Sequence, residues 1–469
     1  MMDTATAARA IAGTLTGPNV AFDRVTTDSR SLQTGDLFVA LKGERFDGHD
    51  FVAQAFQRGA VAAVVAADRA GALVDRAAGS MLAVADTLAA LGALAAYWRR
   101  RFVLPVIAVV GSNGKTTVKE MTAAILRAAF ETEPVLATAG NLNNQIGLPL
   151  TMLGLREAHR VAVVEIGMNH PGETGALAGI AQPTIALINN AQREHQEFMK
   201  SVADVAAEHA AALNALPVDG IAAINADDDY APFWSGVVAR RNAEGASVVL
   251  RDFGLLAPAA VSARYRSEPW GNKVDVETPE GATSFELHAP GRHNVANAIA
   301  AIAAATAAGA GLAAVRSGLS AFRPLAGRLD TRTAADGAAV IDDTYNANPD
   351  SVRAAIAVLA RAQGARWLVL GDMGEVGDQG IAFHREIGEY ARAAGIDRLL
   401  TTGKLAAHAV ASFGPGGEHF DDVDSLIAAT EAKLHAGSES KITLLVKGSR
   451  FMRMERVVEA LTGVAARSH

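Results

Sequence analysis

Val106-Ile107-Ala108-Val109-Val110-Gly111-Ser112-Asn113-Gly114-Lys115-Thr116-Thr117 is the stretch on which the reading of this chain turns. Its five apolar, mostly β-branched residues predict a buried parallel strand. Gly111 and Gly114 then permit a tight loop whose backbone N–H groups can approach an anion with no Cβ in the way. Residues 118–130 predict the helix that follows, its positive N-terminal end aimed at the same anion. Lys115 suits the β- and γ-phosphates of a nucleoside triphosphate, and the Thr116 hydroxyl suits Mg²⁺. The loop departs from G-x-x-x-x-G-K-[ST] at one place, Val109, where the first glycine would stand. Strand, glycine loop and helix in this order predict ATP binding, with Gly111, Ser112, Asn113, Gly114, Lys115, Thr116 and Thr117 around the phosphates.

Working outward, a length of 469 residues suffices for about three domains. Residues 1–104 carry short strand-like runs at 36–41, 61–65 and 81–84 and a helix at 87–101, whose Arg99-Arg100-Arg101 end reads as solvated. Residues 105–321 repeat strand then helix, with strands at 106–110, 161–166, 184–188 and 221–224 forming a parallel sheet. Residues 322–469 repeat the pattern at 338–341, 367–370, 398–400 and 442–446, and Pro324-Leu325-Ala326-Gly327 predicts the hinge between the two units. The nearly uncharged segment 298–315 is long enough for a membrane span. Its alanines, Thr306, Gly309 and Gly311 fit a tightly packed buried helix better.

A net charge of −7 argues against a nucleic-acid-binding surface. The absence of cysteine excludes disulfides, thiol catalysis and cysteine zinc sites, and fits a reducing cytoplasm. The first residues lack a basic stretch followed by an apolar core, so no signal peptide is expected.

In open parallel sheets ligands gather beyond the carboxyl ends of the strands. Glu165, followed by Gly167-Met168-Asn169, offers a carboxylate where a Mg²⁺·ATP site needs one. Asn190-Ala191 and His195 follow the 184–188 strand. Asn225-Ala226-Asp227-Asp228-Asp229 reads either as a metal cluster or as a solvated turn. Asn272-Lys273-Val274-Asp275 matches the guanine-recognition pattern N-K-x-D, but it does not end a buried apolar strand. It opens a stretch split by Pro279-Glu280-Gly281 that predicts a β-hairpin, so GTP is rejected.

Gly111-Ser-Asn-Gly-Lys-Thr-Thr, Glu165-Ile-Gly-Met-Asn, Asn190-Ala…His195, Gly291-Arg-His-Asn-Val-Ala-Asn-Ala, Gly327-Arg328 and Asp343-Thr-Tyr-Asn-Ala-Asn-Pro-Asp-Ser together resemble the Mur ligases, in that family's order and over nearly the whole chain. The resemblance implies an α/β protein of three domains. Residues 1–104 would be a mixed α/β UDP-sugar domain, 105–321 a parallel-sheet ATPase domain, and 322–469 a Rossmann-like domain that binds D-alanyl-D-alanine and closes over ATP. Tyr345-Asn346-Ala347-Asn348-Pro349 points to the branch that adds D-alanyl-D-alanine to UDP-N-acetylmuramoyl-tripeptide. Whether the tripeptide carries diaminopimelate or lysine stays open.

By the same resemblance, Lys115, Glu165, His195 and Arg328 are expected to be catalytic, with ATP and Mg²⁺ as cofactors. Asn294 and Asn297 would lie on the adenine side, and Arg328 and Asp343 would reach over to phosphate and ribose. Ser29, Arg30, Lys42, Asp47 and Gly48 would hold the nucleotide sugar, and Asn141, Asn143 and Asn144 belong to a substrate loop. Tyr345, Asn346 and Asn348 would face the dipeptide, and Lys447-Gly448-Ser449-Arg450 would lie near the peptide substrate. Most members place a lysine downstream of the histidine, where its carbamate helps hold a second Mg²⁺. Here that position is His209, and no lysine lies between Lys200 and Lys273. Glu208 is the expected replacement, so the metal set would be Thr116, Glu165, His195 and Glu208. A monomer with no membrane span and no nucleic-acid partner is expected. A sister enzyme such as the folate polyglutamate ligase would share the ATP site but not Asn346-Ala-Asn-Pro. A regulator without catalysis would not need Lys115, Thr116, Glu165 and His195 together.

Overall fold

Among the described residues of the computed structural model (1–74, 79–131, 134–436 and 441–464), three large sheets follow one another along the chain. The first has the order Thr14–Thr16, Ser80–Val84, Ala62–Ala66, Asp36–Val39, Arg24–Thr26, parallel except at its first pair. The helix Thr87–Arg99 buries Leu91, Leu94, Ala95 and Trp98, and Trp98 Nε1 donates to the Leu155 carbonyl. Arg99 corrects the expectation of a solvated helix end. Its guanidinium is buried and donates to the carbonyls of Phe102, Ala181 and Gln182. A buried cation is tolerable when every polar face it shows meets an acceptor.

The second sheet has nine strands in the order Gly281–Leu287, Gly271–Thr278, Val261–Glu268, Val249–Gly254, Ile221–Asn225, Ile185–Ile188, Val106–Val110, Val161–Glu165, Val135–Ala137. From Val135–Ala137 to Val261–Glu268 the strands run parallel, and Val106–Val110, third from the Val135–Ala137 edge, is fully buried. The sheet is not parallel throughout, because the last strands form an antiparallel meander. Asn272 lies inside that meander and donates to the Ala289 carbonyl, while Lys273 pairs with Glu268 and Glu286. This N-K-x-D is strand structure. The segment 298–315 proves to be parts of two helices, Arg292–Ala307 and Leu312–Ala321, separated where Gly309 takes φ +95°. That left-handed step suits glycine and ends the first helix. No helix among the described residues is long and apolar enough to cross a membrane.

The third sheet has the order Asp330–Thr333, Ala339–Asp343, Ile442–Lys447, Ala365–Leu370, Arg398–Thr402, Gly417–Phe420, parallel except at its first pair. Its strands alternate, Val340 packing into one core and Ile341 into the other, so helices cover both faces. Loops at the carboxyl ends of the second and third sheets together line a cleft of about 780 Å³.

Candidate active site

The phosphate loop is shaped by glycine and braced by amides. Gly111 (φ +138°) and Gly114 (φ +81°) lie where L side chains are strained, and a Cβ on Gly114 would stand 2.4 Å from Asn297 Oδ1. Asn190 Oδ1 accepts from the Asn113 N–H (2.8 Å), and Asn189 and Asn190 both donate to the Asn113 carbonyl. Asn189 also donates to Asn297 Oδ1 (3.0 Å), and Asn297 donates to Asn294 Oδ1 (3.3 Å). Asn294 donates in turn to the Pro290 carbonyl (2.8 Å). Asn294 and Asn297 line the cleft, where the adenine role is expected of them, and their hydrogen bonds also brace the loop. Ser112 Oγ accepts from the Gln192 N–H, which ties the loop to the segment leading to His195. The helix Lys115–Ala129 starts directly behind Gly114, and Thr117 lines the cleft with Lys115 and Thr116.

Glu165 ends its strand 2% exposed. Asn143 Nδ2 donates to its Oε1 (2.7 Å), while Oε2 is buried with no hydrogen-bond partner. A buried carboxylate oxygen without a donor is costly, and a cation is the natural remedy. Thr116 and Glu165 therefore fit Mg²⁺ beside a phosphate. Asn143, expected on the substrate, lines the cleft and also orients this carboxylate. Asn144 Oδ1 accepts from the N–H groups of Ile146 and Gly147, and Asn141 is exposed in the cleft.

Glu194, which sequence reasoning missed, is the charge centre of the central domain's side. It is buried, 3.3 Å from Lys115 Nζ, 3.3 Å from His209 Nε2 and 3.8 Å from His195 Nε2. Burial pushes its carboxyl up, but Lys115 and the two imidazoles outweigh burial and hold it at about 2. Its place directly before His195 was the signal available. His195 has φ +48°, Glu375 from the third sheet's side has φ +56°, and their side chains meet with Nδ1 2.6 Å from Oε2. Two non-glycine residues in the left-handed region, facing each other across two domains, mark a built contact.

Glu208 overturns one expectation. Its oxygens accept from the N–H groups of Gly172 (2.9 Å) and Thr174 (2.8 Å), capping the helix Glu173–Ala181. No cluster of three or more His, Cys, Asp or Glu side chains able to hold a metal occurs among the described residues. Glu208 is thus taken up by the helix start and lies outside the cleft, whereas Thr116, Glu165 and His195 all line it. Asp227 and Asp228 likewise accept from loop N–H groups, so the Asn225–Asp229 run is a turn.

From the third domain, Arg328 Nη2 donates to Thr116 Oγ1 (2.9 Å), and its guanidinium lies 4.0 Å from the Tyr345 ring centroid. Asp343, expected at the ribose, lines the cleft but pairs with Lys447 (2.6 Å). Asn346 is exposed there. Asn348, expected on the dipeptide, caps the helix Pro349–Leu359 through Ser351 N–H, and its Nδ2 donates to Asn113 Oδ1 (2.9 Å). Asn348 thus joins the third domain to the phosphate loop, and it lines the cleft where the dipeptide role is expected of it. Arg193, also missed, bonds Asp350 (2.6 Å) and Glu386 (2.7 Å) across the same boundary, and Arg353 adds a contact to Glu386.

Ser29, Arg30, Lys42, Asp47 and Gly48 are absent from the cleft's lining. They follow the carboxyl ends of two adjacent parallel strands, Arg24–Thr26 and Asp36–Val39. Arg30 pairs with Asp28, and the Ser29 carbonyl accepts from Arg58. Lys42 and Asp47 pair through their backbones in an isolated antiparallel β-bridge, and the Asp47 carboxylate binds His49. A Cβ on Gly48 would stand 2.7 Å from the Leu41 backbone, so this turn needs glycine.

Comparison with known families matches the Mur ligase family catalytic domain over residues 22–101, the Mur ligase middle domain over 109–305, and the Mur ligase glutamate ligase domain over 327–450. The UDP-N-acetylmuramoyl-tripeptide–D-alanyl-D-alanine ligase of Escherichia coli (strain K12) is 43% identical over 96% of both chains. The ligase of the same name from Bacillus subtilis (strain 168) is 35% identical over 97% of both. A crystal structure of MurF from Acinetobacter baumannii superposes with a TM-score of 0.89 at 33% identity, covering 99% of each chain. The MurF ligase of Thermotoga maritima in complex with ADP gives 0.77 at 25% identity, covering 93% of this chain and 96% of that one. With three Mur ligase domain models matched in order along the chain and a relative 43% identical over 96% of it, the chain belongs to the Mur ligase family.

Proposed function

We propose that this chain is an ATP-dependent ligase that joins D-alanyl-D-alanine to UDP-N-acetylmuramoyl-tripeptide, releasing ADP and phosphate in peptidoglycan precursor synthesis. The observation that carries the reading is the meeting of two domains at Thr116: Lys115 and the partnerless Glu165 oxygen from one, Arg328 from the other. An amine cannot usefully attack a carboxylate, whose leaving group would be oxide. ATP with Mg²⁺ supplies the γ-phosphoryl that makes the tripeptide's terminal carboxylate an acyl phosphate with a good leaving group. Lys115 and Arg328 neutralise phosphate charge from opposite sides of the cleft, and the Gly111–Gly114 backbone holds it in place. The third domain's Asn348 and Glu375 close the wall and exclude water that would hydrolyse the activated carboxylate.

The N-terminal strand ends, with Arg30 and Lys42 beside a glycine turn, suit the diphosphate of the UDP sugar, and the exposed Asn346 suits the dipeptide. The domains are taken as 1–104, 105–321 and 322–469, in keeping with the separate sheets. The enzyme is taken as a cytoplasmic monomer, the compartment in keeping with a sequence without cysteine. ADP release is the test, measured with each candidate tripeptide and with D-alanyl-D-alanine or another amino substrate. Turnover should require both partners, and Lys115→Ala should abolish it while leaving the circular dichroism spectrum intact. Near wild-type ADP release from that variant would place the ATP site elsewhere.

A further inference from the structure

Lys447-Gly448-Ser449 leaves the carboxyl end of the strand Ile442–Lys447, and both side chains turn to carbonyls of the loop that carries Asn346. Lys447 Nζ donates to the Asn346 carbonyl (2.8 Å) and to Asp343 Oδ2 (2.6 Å). Ser449 Oγ donates to the next carbonyl, Ala347 (3.0 Å), and accepts from the Gly374 N–H (2.7 Å). The Ser449 N–H donates to the Asp372 carbonyl (3.0 Å). Lys447 and Ser449 are both buried. Between them, a Cβ on Gly448 would stand 2.6 Å from Met454 Cγ, so the segment has no room to shift. One short segment therefore fixes two loops that face the central domain, the Tyr345–Asn348 loop and the loop that ends in Glu375.

A buried ammonium beside Asp343 could be explained by charge neutrality alone. The contacts to Asn346 and Ala347 are not explained that way. Holding two successive carbonyls fixes the peptide planes on either side of Ala347, and the first of these carries the Ala347 N–H that donates to Asn346 Oδ1 (2.9 Å), so the exposed Asn346 side chain is oriented through it. We propose that Lys447 and Ser449 are positioning residues for the dipeptide, setting the Asn346 loop against which D-alanyl-D-alanine is seated. The inference rests on the reaction proposed above.

The test is steady-state ADP release by Lys447→Met, Lys447→Arg and Ser449→Ala, with ATP and dipeptide varied separately and thermal melts recorded alongside. Removing one buried hydrogen bond on the dipeptide's side should raise KM for D-alanyl-D-alanine about tenfold in Lys447→Met and Ser449→Ala, and leave KM for ATP within about twofold. Lys447→Arg keeps the charge beside Asp343 but replaces the compact ammonium by a longer, planar guanidinium that cannot hold the Asn346 carbonyl in the same geometry, so it should recover the melting temperature and not the dipeptide KM. The proposal is overturned if KM for ATP rises as far as that for the dipeptide. It is equally overturned if melting temperatures fall while both KM values stay at wild type. Ser449→Ala leaves the Asp343 pair intact and decides the matter should Lys447→Met not fold. If wild-type enzyme releases no ADP with D-alanyl-D-alanine, the proposed reaction fails. The same KM comparison is then read with whichever amine supports turnover.

Discussion

Glu194 shows at the residue scale what a sequence displays and what it hides. Lys115, Thr116 and Glu165 were legible because each has its chemistry at a predicted strand end or helix start, where a local pattern suffices. Glu194 was not, since its importance comes from Lys115 and His209, which only folding brings to it. Glu375 and Arg193 were hidden for the same reason, each acquiring its partner from another domain. The Glu194 cluster has a pH consequence. Its carboxyl sits at about 2 in the folded protein against an ordinary 4.5. The unfolded chain therefore takes up this proton first. The stabilisation is complete above about pH 4.5 and is lost as pH falls towards 2. Glu194→Gln removes the titrating group, so its urea-melt stability should fall less steeply than wild type across that window. A variant curve parallel to wild type would show that the cluster contributes nothing to acid lability.

The same lesson holds for elements. Strand positions were readable from short apolar runs, and Val106–Val110 and Ile442–Lys447 lie where the pattern put them. The break at Gly309 was masked by the alanines on both sides of it, which favour helix as strongly after the glycine as before. The antiparallel meander beyond Val261 was only half legible, as the hairpin around Pro279 announced itself and its attachment to the large sheet did not. Glu208 belongs at this scale too. The helix Glu173–Ala181 begins at Gly172, which supplies no side-chain cap, so a carboxylate from another helix caps it. Glu208→Ala should cost about 1–2 kcal/mol of stability, as loss of an N-terminal cap does. Denaturant melts would measure that cost, and the Mg²⁺ dependence of ADP release should not move. A raised Mg²⁺ requirement in a fully stable variant would return Glu208 to the metal.

For the molecule as a whole, the division into three sheets was visible in the alternation of strand-like and helix-like stretches. The way the second and third units face each other was not, because it depends on side chains far apart in sequence. Arg193 makes the densest of these contacts, with Asp350 and Glu386 of the third domain and Arg353 alongside. Partly exposed ion pairs are weakened by salt and by loss of one member. Arg193→Ala should therefore loosen the third domain, giving a larger radius of gyration in small-angle scattering without nucleotide. Raising ionic strength should move wild type the same way. An unchanged scattering profile under both conditions would mean that other contacts hold the domains together.

The bonds from Arg328 to Thr116 and from Asn348 to Asn113 have a consequence for speed. They are made by the phosphate loop itself, so the surface that shelters the substrates is also the door through which products leave. A cycle in which the domains open to release products would break both bonds and remake them at each turnover. In such a cycle a tighter seam between the domains would slow the release of products, so strengthening either bond should lower turnover.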